Sequence, residues 1–252
     1  MLEVKNLCVY AGKTNIIDNI TFNAKYGELT AILALNGIGK TQLLKIISNI
    51  NPIKKGEILV DGIKPKYNGK TISYLPQKVE LYSDFTCFDY VLLGRTPYIS
   101  TFGYPSKKDK SIAEESIKIS GVEHLKERKI YNLSGGEFRR VCIAKLLAQD
   151  TKVMLLDEPC AYLDCRRQQK IMYLIKNIVK EKSKCAVVTL HDPSIAFKFC
   201  DKVIFINSHG VISQLYSKTA SLDEINCYLS RIYGNKIKAV KVKDEIVILW
   251  SE

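Results

Sequence analysis

Leu29-Thr30-Ala31-Ile32-Leu33, followed by Ala34-Leu35-Asn36-Gly37-Ile38-Gly39-Lys40-Thr41, is the stretch that decides the fold. Its first five residues form a short, nearly continuous apolar run, which fits a parallel strand covered on both faces. The next eight follow the phosphate-loop pattern G-x-x-x-x-G-K-[ST], with Ala34 standing where the first glycine is expected. An apolar helix carrying Leu43, Leu44, Ile46 and Ile47 then opens. In this setting the amides of Gly37 to Thr41 point at phosphate oxygens, aided by the positive end of the helix. Lys40 supplies a point charge for the β- and γ-phosphates, and the Thr41 hydroxyl can ligate Mg²⁺. A plain glycine-rich turn is the competing reading, and Lys-Thr directly after Gly39 weighs against it. Ala34 matters if its position needs a positive φ or a very close approach of phosphate.

Two more runs resemble the first. Val153 to Leu156 ends in Asp157-Glu158, and Ala186 to Leu190 ends in His191-Asp192. In open parallel sheets ligands bind outside the carboxyl ends of the strands, so three such ends point to one shared site. Two carboxylates buried together need a shared cation or proton, and a Mg²⁺–nucleotide supplies one. Asp157 then holds the metal, and Glu158 is left to polarise an attacking water. An exposed acidic strand end is the alternative. His191 can bond the γ-phosphate or orient the water. His124 and His209 lack such a context and read as surface residues.

Leu133-Ser134-Gly135-Gly136-Glu137 reads as a helix start. Ser134 can cap the first turn, and Glu137 can reach back to its amide, which is a capping box. Phe138, Val141, Cys142, Leu146 and Leu147 follow at helical spacing. The two glycines leave the first amides open, so this helix start is a second place for an anion. A well-capped surface helix reads equally well from this segment alone.

Around these motifs, Leu2 to Tyr10, Ile16 to Phe22 and Glu57 to Val60 have strand character and suggest an antiparallel sheet on one flank. Residues from about Ser83 to Asp150 turn helical and read as a subdomain inserted before the Asp157 strand. Ile237 to Trp250 alternates around Lys243-Asp244-Glu245, as a terminal hairpin does.

Composition narrows the class. The chain has 252 residues, 46% of them apolar, enough for one large core. No apolar run approaches the ~20 residues that span a bilayer, and Met1 to Tyr10 does not read as a signal peptide. A cytosolic site of synthesis and residence is expected. Eight cysteines are scattered without metal-ligand spacing and read as reduced packing residues, Cys142, Cys185 and Cys200 among them. The net charge of +12 favours acidic partners but is spread along the chain and names none.

Taken in order, the Ala34–Thr41 loop, Gln77 after Tyr74-Leu75-Pro76, Leu133–Glu137, Asp157-Glu158, Ala161-Tyr162-Leu163-Asp164 and His191 resemble the ATP-binding subunit of ABC transporters over nearly the whole chain. The resemblance implies an α/β fold: a P-loop NTPase (RecA-like) core with a mostly parallel sheet, an antiparallel β flank and an inserted helical subdomain. It implies a nucleotide-binding domain over 1–236, with 237–252 as a hairpin extension. It also implies ATP hydrolysis with Mg²⁺ at a head-to-tail homodimer interface. Each ATP would lie between Ala34–Gln42 of one copy and Ser134, Gly135, Gly136 and Glu137 of the other. Tyr10 matches the aromatic that stacks on adenine, and Gln77 the residue that senses Mg²⁺ and relays to membrane subunits. Asp164 matches the loop that couples the two sites, Glu158 the catalytic base and His191 the γ-phosphate contact. Thr41, Gln77 and Asp157 carry over as the metal residues. Permease subunits, an extracytoplasmic substrate-binding protein and a place on the cytoplasmic face of the membrane are the implied surroundings.

Leu93-Gly94-Arg95-Thr96-Pro97-Tyr98, Phe102-Gly103, His191-Asp192 and Ile232-Tyr233-Gly234 are similar to the importer branch for iron–siderophores, haem and vitamin B12. Arg95 to Tyr98 also reads as a plain turn at Pro97. The chain departs from the pattern at Ala34, Leu35, Gln42 and Cys160, so weakened but not abolished nucleotide binding is expected. A soluble ABC ATPase working on nucleic acid or in translation would suit the +12 charge. The chain has neither the second ATPase unit nor the long coiled coil common there, so nucleic acid is not expected as a partner. Glu158 and His191 argue against a scaffold without catalysis.

Overall fold

The computed structural model describes residues 1–79, 84–243 and 245–250. Its strands are β1 (Leu2–Ala11), β2 (Thr14–Ala24), β3 (Leu29–Leu33), β4 (Glu57–Val60), β5 (Ile72–Leu75), β6 (Val153–Asp157), β7 (Cys185–Leu190), β8 (Lys202–Asn207), β9 (Gly210–Tyr216), β10 (Ile237–Val242) and β11 (Glu245–Trp250). Its α-helices are α1 (Lys40–Ile47), α2 (Cys87–Leu92), α3 (Lys107–Ile119), α4 (Gly135–Ala148), α5 (Cys165–Glu181), α6 (Pro193–Phe199) and α7 (Leu222–Tyr233).

The three apolar runs sit side by side in the central sheet, whose order is β5-β6-β7-β3-β8-β9. Neighbours from β5 to β8 pair in parallel, and β9 returns antiparallel to β8. Every residue of β3, β6 and β7 is buried, which is why their sequences run apolar rather than alternating. Their side chains still alternate between two cores. Leu29, Ala31, Leu33, Met154, Leu156, Val188 and Leu190 face a helical layer with residues from α2 to α7. Ile32, Val153, Leu155 and Val187 face the other way, toward α1 and the flanking sheet. Each fully buried aliphatic side chain contributes about 1.5–3 kcal/mol, so both faces hold the strands in register.

The flanking sheet has the order β2-β1-β4 and is antiparallel, as expected from its three segments. The sequence reading did not find β5, β8 and β9. The segment before α4 contains α2, a 3₁₀ helix over Leu93–Tyr98, and α3. Ser83, where the helical stretch was expected to begin, lies outside the described residues. The turn expected at Pro97 is that 3₁₀ helix. Within it Arg95 is buried, with Nε 3.0 Å from Asp109 Oδ1 and Nη1 donating to the Ala148 carbonyl at 2.9 Å.

The tail pairs β10 with β11, and Asp244, at the centre of the expected turn, lies outside the described residues. Asn226 of α7 ties the hairpin down: its Oδ1 accepts from the Ala239 amide at 2.6 Å and its Nδ2 donates to the Ala239 carbonyl at 3.1 Å.

Candidate nucleotide site

The carboxyl ends of β3, β6 and β7 meet at one edge because the three strands are parallel. The loop after β3 turns on Gly37 (φ +79°) and Gly39 (φ +106°), conformations that glycine adopts freely. Ala34 is buried and its φ is not positive, so the missing glycine costs the backbone nothing there. Gly39 is the N-cap of α1 and offers no side-chain cap, so the first-turn amides keep their donors for an anion. Leu35, Asn36 and Gly37 are exposed, while Ile38 and Gly39 are half-buried. Gln42 accepts from Asn51 Nδ2 at 2.7 Å, which anchors the helix to the loop that follows it.

Lys40 is folded back into its own loop. Its Nζ donates to the Ala34 carbonyl at 2.9 Å and the Leu35 carbonyl at 3.3 Å, and lies 3.5 Å from His191 Nδ1. Burial pushes its ammonium below the usual lysine range, while Glu158 and Asp157 pull it back up. The loop thus satisfies its cation with carbonyls, contacts that phosphate oxygens can replace.

His191 joins this cation to the acids. Its Nδ1 accepts from Lys40, so the other nitrogen carries the proton and donates to Glu158 Oε1. Gln77, just after β5, donates through Nε2 to Glu158 Oε2. Lys40, His191, Glu158 and Gln77 therefore form one connected line. Glu158 is 8% exposed and sits at φ +43°, held by its amide donating to Thr189 Oγ1 at 3.0 Å. Asp157 is fully buried and accepts from Thr189 Oγ1 at 2.6 Å and Tyr74 Oη at 3.3 Å. Burial and the Asp157 charge push the Tyr74 phenol well above its ordinary range.

Three of these residues escaped the sequence reading. Thr189 is the polar residue in an otherwise apolar strand, and that oddity was a usable signal. Tyr74 gave none. Arg139 shares a helical stripe with the buried Cys142, Ile143 and Leu146, an unusual place for an arginine. Its guanidinium donates to the carbonyls of Pro76, Asp157, Glu158 and Pro159 at 2.8–3.1 Å.

Ser134 caps α4, and Glu137 Oε2 accepts from the Ser134 amide at 2.8 Å, so the capping box is formed. Gly135 is open. Gly136 is partly covered, because a Cβ there would meet Arg167 Cδ at 3.2 Å. Ser134, Gly136 and Glu137 line a cavity of about 260 Å³ with Arg140, Arg167 and Lys170, and no residue of Ala34–Gln42 lines it. Asp164 caps α5, accepting from the Arg167 amide at 2.9 Å. Tyr10 is half-buried with Lys54 Nζ 4.7 Å from its ring centre, so one aromatic face already meets a cation. His124 and His209 are exposed, as expected.

Fold and site together define a phosphate-loop ATPase cassette. The model of the ABC transporter family matches residues 17–161, and the chain belongs to that family. It is an ATP-binding, ATP-hydrolysing subunit of the kind that serves transporters. A probable iron chelatin transport ATP-binding protein of Helicobacter pylori is 31% identical over 98% of each chain. A manganese transport system ATP-binding protein of Listeria innocua is 33% identical over 86% of this chain and 92% of its own. A cassette solved as a dimer in a post-hydrolysis state with ADP and Pi has TM-score 0.74 and 28% identity, covering 87% of this chain and all of that one. A metal-chelate type ABC transporter in an inward-facing conformation shares the fold, with TM-score 0.83 at 24% identity, over 99% of this chain and 96% of that one. Among the described residues no helix is long and apolar enough to cross a membrane.

Proposed function

We propose that this chain is the ATPase subunit of an importer for a metal chelate of the iron–siderophore, haem or cobalamin class. It works as a head-to-tail homodimer, bound peripherally to permease subunits at the cytoplasmic face of the membrane. An extracytoplasmic binding protein delivers the cargo. Residues 1–236 form the nucleotide-binding domain, with the helical subdomain at about 83–150, and 237–252 extend it.

The observation that carries this reading is the line Lys40–His191–Glu158–Gln77, with Ser134 on a separate face. ATP enters between Tyr10 and Ala34–Gln42, and its phosphates take the place of the carbonyls now holding Lys40. His191 is released from Lys40 toward the γ-phosphate, and Glu158 accepts the proton of the attacking water. The donors of Thr41, Gln77 and Asp157 are hard oxygens, the kind Mg²⁺ takes beside phosphate oxygens, and they would hold it. Bound there, Mg²⁺ neutralises charge on the triphosphate. Because the cavity lined by Ser134, Gly136 and Glu137 takes no residue from their own chain's phosphate loop, a second copy supplies the other half of each site. Asp164, capping α5 beside Arg167, couples the two sites.

Support for a chelate rests on the Helicobacter relative, matched over 98% of the chain. The manganese relative keeps bare manganese as the second reading. Two measurements test the proposal. Cysteines placed at Asn36 and Ser134 in the Glu158→Gln background should cross-link between chains with ATP and not without it. Deleting the gene should abolish uptake of a ferric siderophore, haem or cobalamin and spare manganese. Loss of manganese uptake alone would favour the second reading.

A further inference from the structure

A cavity of about 480 Å³ opens between α5, α6, the turn after β9 and the C-terminal hairpin, and none of its lining residues belongs to the nucleotide site. That volume lies within the ~300–1,000 Å³ range of small-molecule sites. Four lysines converge on it from separate elements: Lys176 of α5, Lys198 of α6, Lys218 after β9 and Lys241 of β10. Lys198 reaches Glu245 only at 3.6 Å. Lys176 and Lys218 make no ion pair with another described residue.

Asp201, the other acid of the lining, is already engaged. Its Oδ1 lies 3.2 Å from Lys180, outside the cavity, and its Oδ2 accepts from the Leu29 amide at 3.0 Å. Ser217 is one of the lining residues, and its hydroxyl is shielded from solvent and has no hydrogen-bond partner among the described residues. A buried hydroxyl without a partner is uncommon in native structures and calls for an acceptor or donor brought by something else. Lys176 and Lys218 thus bring to the cavity positive charge that no described ion pair neutralises, and an anion there balances it.

We propose that this cavity binds a small multivalent anion bearing phosphate or carboxylate groups, with Lys176 and Lys218 as its principal contacts and Ser217 Oγ as a hydrogen-bond donor. Lys176 and Lys218, from two separate elements, fit an anion with more than one charged group better than a monovalent ion. Bound there, the anion bridges α5, α6 and the hairpin, and so fastens the C-terminal extension to the ATPase core.

The test is calorimetric titration of the full chain with inorganic pyrophosphate and, separately, citrate, without Mg²⁺. Both titrations use the Lys40→Ala variant, so that the phosphate loop does not compete, and the citrate titration is repeated on the unchanged chain. At least one anion should saturate a single site, and Lys176→Ala with Lys218→Ala should weaken it about tenfold or more, a loss of about 1.4 kcal/mol. Saturation by pyrophosphate alone identifies a phosphate ligand, and by citrate alone a carboxylate. Lys107→Ala with Lys108→Ala, on α3, which contributes no residue to the cavity lining, should leave binding unchanged. The proposal is overturned if neither anion saturates, if the double variant binds as before, or if the α3 variant weakens binding equally.

Discussion

Arg139 Nη2 donates to the backbone carbonyl of Glu158 at 3.0 Å. The helix that starts at Ser134 therefore holds the chain at the acidic residue expected to act as base, and the same guanidinium also holds Pro76, just before Gln77. Arg139→Met keeps the apolar stem and removes the donors. A buried carbonyl left without a partner costs about 1–3 kcal/mol, and several are orphaned together, so a loss of about 3 kcal/mol is expected. Urea unfolding measures it. An unchanged midpoint would show that water replaces the guanidinium.

Glu158 takes a proton donor on each oxygen, His191 on one and Gln77 on the other. Glu158→Gln can accept from only one of them and presents its own amide hydrogens to the other. Loss of a general base lowers turnover by about 10²–10⁴-fold. ATP binding should survive, since Lys40 and the loop amides are untouched. Phosphate release and equilibrium dialysis separate the two effects. Turnover within twofold of the unchanged chain would remove Glu158 as base.

Much of this was legible in the sequence because burial on both faces writes itself as an unbroken apolar run. That signal found β3, β6 and β7, and the polar residues closing each run located the site edge. It failed for β8, whose Val203 to Ile206 follow closely on the apolar residues of α6, with only Cys200 to Lys202 between them. β9 is mostly half-buried, so it shows neither a run nor an alternation. β5 is as short as β4, four residues, but lacks a turn pair such as Asp61-Gly62 directly after it. Pairwise chemistry was equally hidden. Nothing in Leu93–Tyr98 reveals that Arg95 meets Asp109 fourteen residues on, since that depends on how α3 docks. The retraction of Lys40 onto Ala34 and Leu35 is likewise a property of the closed loop, not of the motif.

That Arg95–Asp109 pair gives a pH test. The Ser106 hydroxyl, together with Arg95, holds the Asp109 carboxyl below its ordinary value of 3.8. A depressed folded value means that the stabilisation is complete above 3.8 and disappears as pH falls through the lower folded value. Asp109→Asn leaves the buried Arg95 without its counter-charge. Breaking a buried pair costs about 3 kcal/mol, so the variant should be less stable by about that much near neutral pH. The gap should narrow as the solution is acidified below the ordinary carboxylate range. Urea midpoints of both chains across that range measure it, and a gap constant with pH would mean that the carboxylate's charge is not what stabilises the helix.

The cysteines give the last prediction. Cys8, Cys87, Cys142, Cys160, Cys185 and Cys200 are buried, while Cys165 and Cys227 are exposed. Burial pushes the Cys142 thiol up to about 11 and those of Cys160 and Cys185 up to about 12, so little thiolate forms at neutral pH. A maleimide should therefore label two thiols quickly in the folded chain and the other six only after unfolding. The two exposed thiols should then diverge. Cys165 directly follows Asp164, on the face expected to meet a second copy, whereas Cys227 lies on α7 beside the hairpin. ATP added to the Glu158→Gln chain should slow labelling of Cys165 and leave Cys227 unaffected, read by mass spectrometry of the labelled peptides. Equal protection of both would point to a general tightening of the fold, and protection of neither would place the two copies elsewhere.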